Sequence, residues 1–106
     1  MSYVVLLSTA SSQDEAGKIA HKFVENGLVA CVNIIPNIRS IYLWKDKVCD
    51  ESEVMLVMKA HSRCVEKIKT ELKSIHSYEC PELVVLPISD GLADYLKWVD
   101  ETSINF

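Results

Sequence analysis

The feature that most constrains this chain is an apolar stretch too long for the domain that carries it. Residues 28–44 read LVACVNIIPNIRSIYLW, and after the polar KDK of residues 45–47 the chain returns through a polar outer part, residues 49–53, to the wholly apolar VMLVM of residues 54–58. Alternation along both halves distributes side chains to two faces, as in paired strands. A lone hairpin with apolar residues on both faces is unstable in water, so this arm needs partners. Pro36 cannot donate to a ladder; with Asn37 behind it, it predicts a bulge or bend after which the strand resumes to Trp44.

The flanking sequence supplies the other layers. The apolar run YVVLL at residues 3–7 predicts a buried first strand. Ser12 and Glu15 form a capping box for a helix whose inner stripe is Ala16, Ile19, Ala20, Phe23 and Val24, and Asn26-Gly27 ends it. Ser62 is the expected cap of a second helix with Val65, Ile68, Leu72 and Ile75 inward. A last strand is expected over residues 83–88, then a short helix carrying Leu92, Tyr95, Leu96 and Val99, with Trp98 to one side. The order defines an α+β, ferredoxin-like (βαββαβ) antiparallel sheet with a long hairpin between the second and third strands and a short C-terminal helix. Two helices cover one sheet face. The other is also apolar and needs the terminal helix or another subunit over it.

At 106 residues and 49% hydrophobic, the chain suits a single domain spanning residues 1–106. A net charge of -4 without a clustered basic surface excludes nucleic acid as the principal partner. No run reaches the length of a membrane span, and the start lacks a secretory pattern, so a cytoplasmic protein is expected. Cys31, Cys49, Cys64 and Cys80 form no CxxC pair and read as free thiols. No nucleophile–base signature or phosphate loop is present, so no enzyme is expected.

Two constellations remain as candidate sites. His76, just past the second helix, either ligates a metal through its neutral ring or caps that helix's carbonyls. Glu79 and Glu82 either add oxygen ligands or solvate the surface, and Cys31 is either a buried strand residue or a thiolate ligand. The aromatic set Tyr42, Trp44, Tyr78, Tyr95 and Trp98 either anchors a subunit interface or walls a small-molecule cleft, in which Arg39, Lys59 or Glu53 would orient an anionic or amphipathic ligand.

Residues 28–36, 40–44, Lys47, Glu53-Val54, 76–79, Pro81-Glu82 and 94–98 together resemble the CutA divalent-cation tolerance family, in order over essentially the whole chain. The resemblance implies a homotrimer shaped like the PII signalling proteins, associated with tolerance of copper and other divalent ions and without an established reaction. Four positions depart from the family pattern. Ser77 replaces a proline, Asp46 replaces a turn glycine, and Ser8 and Ile75 stand where copper-binding members carry a cysteine and the first of two histidines. A soft thiolate and one imidazole are therefore missing from that arrangement.

Overall fold

Inward-facing side chains at every second strand position and every third or fourth helix position organise the fold. A computed structural model describes residues 2–106. Its elements are β1 (Tyr3–Ala10), α1 (Gln13–Glu25), β2 (Cys31–Trp44), β3 (Lys47–His61), α2 (Val65–Ile75), β4 (Val84–Pro87) and α3 (Ala93–Thr102), with a 3-10 turn over Ser62–Cys64 leading into α2. The sheet runs β2-β3-β1-β4, antiparallel throughout. Val4, Leu6 and Ala10 of β1 and Val54, Leu56, Met58 and Ala60 of β3 point to the helix side, where Ala16, Ile19 and Phe23 of α1 and Ile68 and Leu72 of α2 close the core.

The bend is a β-bulge. Ile35 pairs with Met55 and Ile38 with Glu53, so Pro36 and Asn37 stand opposite the single residue Val54. Asn37 takes a φ of 58°, which asparagine tolerates better than most residues. Beyond the bulge the arm continues to a two-residue turn with both φ values positive, 49° at Lys45 and 65° at Asp46. That is a type I′ hairpin geometry made without glycine.

Four details differ from the sequence expectation. Leu28, Val29 and Ala30 are buried as expected but precede the strand, which begins at Cys31. Glu15 reaches back to the Ser11 amide and hydroxyl rather than to the Ser12 cap, while Ser12 Oγ accepts the Glu15 amide as predicted. The turn before α2 is capped by the His61 side chain, not by Ser62, because the His61 amide is anchored by Ser103 Oγ at 2.8 Å and its ring then faces the Arg63 amide. The last strand is only four residues long, since pairing with β1 stops at Pro87. Gly27 ends the helix turn as expected, with φ of 70°, and its carbonyl accepts the amides of Ile104 and Asn105, fastening the C-terminal tail.

α3 covers one end of the second sheet face, burying Val99 and Ser103. Ile35, Val84 and Leu86 on that face stay half-exposed, and the outer arm leaves Ile41, Leu43 and Val48 at 62%, 68% and 76% exposure. The arm gives the molecule a long axis of 44 Å against 25 and 21 Å.

Candidate functional site

The bulge sets the site, because it determines which side chains of the arm share a face. Beyond it Tyr42 and Trp44 of β2 stand on the same side as Glu53 and Glu51 of β3. The loop after α2 passes opposite, and between them lies a cavity of about 700 Å³ lined by Tyr42, Trp44, Glu53, Tyr78, Glu79 and Glu82, with Thr9, Ser40, Ile41, Ser77 and Cys80 completing it.

Hydrogen bonds tie these walls together. The Tyr78 hydroxyl donates to Glu53 Oε2 at 2.6 Å, and Glu53 is only 8% exposed. Burial and then this bond push the Tyr78 phenol far above its ordinary range. The Tyr42 hydroxyl donates to Glu51 at 2.9 Å, which raises its pKa to about 12. Glu82 keeps an exposed edge, yet partial desolvation by its surroundings and the charge of Glu53 push its carboxyl above the usual range. The Glu82 carbonyl accepts the hydroxyl of Ser8, fully buried in β1, at 2.8 Å. A serine at an inward position of an apolar strand was a readable signal, since a buried hydroxyl requires a partner.

His76 supports the cavity from behind. Its amide donates to the Leu72 carbonyl, closing α2. Its side chain is fully buried; Nδ1 accepts the Tyr78 amide at 3.0 Å and Nε2 lies 2.7 Å from the Thr9 carbonyl. Nδ1 must therefore be unprotonated and Nε2 must carry the hydrogen. The ring also packs on Tyr78, centroids 4.7 Å apart. Glu15 accepts the Ser77 amide at 2.8 Å; although burial opposes it, hydrogen bonds from Ser77 and Ser11 hold its carboxyl below the ordinary range.

The expected metal set does not converge. Both ring nitrogens of His76 are engaged, so no lone pair faces outward, and Glu79 pairs with Lys45 at 3.4 Å. Cys31 pairs with Lys59 four positions along β3 from Met55, the partner of Thr9, a separation of about 13 Å. Among the described residues no group of three or more His, Cys, Asp or Glu side chains is placed to hold a metal ion. His76, Glu79 and Cys31 thus do not fit one shared ion.

The expected cleft set divides. Tyr42, Trp44, Glu53, Tyr78 and Glu82 come together. Arg39 falls on the other face of the arm, locked to Asp50 by bonds of 2.8 and 2.6 Å. Lys59 sits at the arm's base against Asn33 and Cys31. Tyr95 meets Cys31 there, its phenol raised by burial and by Cys31, and Trp98 packs on Tyr95 with centroids 5.5 Å apart. The cavity therefore lacks the cations expected to hold an anion.

A ferredoxin-like sheet with a projecting arm and a cavity at the arm's loop face defines a PII-like α+β protein. The model of the CutA1 divalent ion tolerance protein family matches residues 4–102, and the chain belongs to that family. It is 40% identical over 99 residues to the divalent-cation tolerance protein CutA of Thermus thermophilus, covering 93% of this chain and 96% of that one. The solved Cut A1 structure from that organism superposes with a TM-score of 0.92 over 95% and 98% of the two chains. A PII-like protein CutA from Nostoc sp. PCC 7120 is 34% identical with a TM-score of 0.90, covering 97% and 99%. The CutA of Archaeoglobus fulgidus, 36% identical with a TM-score of 0.93 over 96% and 99%, is described as periplasmic, so family membership does not carry the cytoplasmic expectation with it. No helix among the described residues is long and apolar enough to cross a membrane.

Proposed function

We propose that this chain is a homotrimeric, PII-like binding module that takes a small ligand in the cavity beneath its β2–β3 arm and does not transform it. The observation that carries this reading is the convergence of Tyr42 and Trp44, Glu53, and Tyr78 with Glu82 from three separate stretches of chain onto one cavity. Aromatic walls with a few fixed polar groups are the usual make-up of a ligand site. A thermal-shift panel of divalent ions and small organic ligands, run on the wild type and on Glu53→Gln, tests it. Cavity ligands should raise the wild-type melting temperature and lose most of that shift in the variant. Equal shifts in both proteins would move the site elsewhere.

A divalent ion, cargo rather than a resident cofactor, is the second reading. It is favoured by Glu53 and Glu82, whose charges are close enough for one to raise the other. Two carboxylates suit a hard, largely hydrated cation better than copper, which prefers softer ligands.

The trimer follows from the arm. Ile41, Leu43 and Val48 on its outer part, and Val84 and Leu86 on the sheet, leave large apolar side chains exposed, the kind of surface that another subunit covers. Closed cyclic assembly covers such surface and retires the free sheet edges together. Sedimentation equilibrium at micromolar concentration should give the trimer mass; a monomer mass would remove this part of the reading.

A further inference from the structure

The cavity's chemistry, taken as the ligand site, selects the charge of its ligand. Glu53, Glu79 and Glu82 line it, and none of its lining residues is Arg, Lys or His. Glu53 is more than nine-tenths buried, and Tyr78 engages only its Oε2. Oε1 accepts no hydrogen bond from the described residues and is not sealed from solvent, so it stays open to the cavity that Glu53 lines. Carboxylate oxygens open to an aromatic-walled cavity favour a donor that brings positive charge.

An ammonium group already sits at the mouth. Lys45, in the arm's turn, places Nζ 5.5 Å from the centroid of the Trp44 ring and 3.4 Å from Glu79 Oε2. Both of these partners line the cavity. The chain's own side chain thus displays the recognition mode, an aromatic face and a carboxylate around one cation. Lys45 and Glu79 are both 71% exposed, so their contact is weakly held and easily exchanged.

We propose that the cavity takes a small organic cation bearing a terminal ammonium, and that Lys45 occupies the outer half of that site as an intramolecular stand-in which the ligand displaces. The inference rests on the cavity reading above and deepens it. The carboxylates of buried Glu53 and of Glu82, which keeps an exposed edge, receive the ligand's positive group or its second ammonium. A cation there relieves the repulsion between Glu53 and Glu82, so binding should strengthen as pH rises through Glu82's elevated range.

The chain has two tryptophans, and Trp98 lies outside the cavity, so a Trp98→Phe background leaves Trp44 as the reporter. Its emission is titrated at fixed ionic strength with 1,4-diaminobutane, 1,4-butanediol and succinate, three four-carbon probes of different charge. Only the diamine should give a saturable change. Glu82→Gln should weaken it roughly tenfold. Lys45→Asn removes the stand-in while keeping a residue suited to its turn position, and should tighten diamine binding about fivefold. No saturable diamine signal, an equal response to succinate, or unchanged affinity in Lys45→Asn would each overturn the proposal. If the diamine fails while another ligand still gives a Glu53-dependent thermal shift, the cavity reading survives and the cation inference alone is lost. If nothing gives such a shift, both fall.

Discussion

Replacing Phe23 with alanine should cost about 3 to 5 kcal/mol of stability. Phe23 is completely buried on the inner face of α1, in the same cluster as Ile19, Leu28 and the inward residues of β1 and β3. Its backbone carbonyl accepts the amides of Leu28 and Val29, at 2.9 and 3.4 Å, so the ring fills the corner where the chain turns out of the helix toward β2. Truncation removes apolar contact and leaves a void that a corner fixed by these bonds collapses into poorly. Denaturant midpoint and melting temperature, compared at one protein concentration, measure the loss. A cost under about 1 kcal/mol would mean that the corner repacks and that α1 is not held to the sheet as described.

The order of elements was legible because each is encoded locally. Helix stripes, the Asn26-Gly27 stop and the proline in the arm act through neighbours a few residues away. The cap before α2 was not legible, because Ser103, some 40 residues later, anchors His61 rather than Ser62. Within the site, Tyr42 and Trp44 share parity and so share a face; the same parity rule excludes Arg39, and applying it would have removed that residue from the cleft. Glu53 joins them only because the bulge shifts the register by one residue, which makes it face the loop carrying Tyr78. Lys59 lies six positions from Glu53 along β3, about 20 Å away, too far to serve the same ligand. The polarity of the cleft was therefore misread for a specific reason: the two expected cations sit on the wrong face and at the wrong end, and carboxylates remain.

His76→Ala is the second large effect and separates a structural histidine from a ligating one. The fully buried ring fills space against Tyr78, and its nitrogens satisfy the Thr9 carbonyl and the Tyr78 amide. Alanine leaves a cavity and takes the side-chain partner from the buried Thr9 carbonyl and the partly buried Tyr78 amide, a loss of about 3 kcal/mol or more. Because Tyr78 holds Glu53, its loop should loosen and the Trp44 environment should change at the same time. The loss should be the same in a metal chelator as in buffer, since neither ring nitrogen has a lone pair free for an ion. His76→Gln, which keeps one amide donor for Thr9, should recover part of the stability without restoring the ring contact with Tyr78. If the variant is destabilised only when divalent ions are present, the ring is a metal ligand and the tautomer deduced from its two hydrogen bonds is not the one that governs this site.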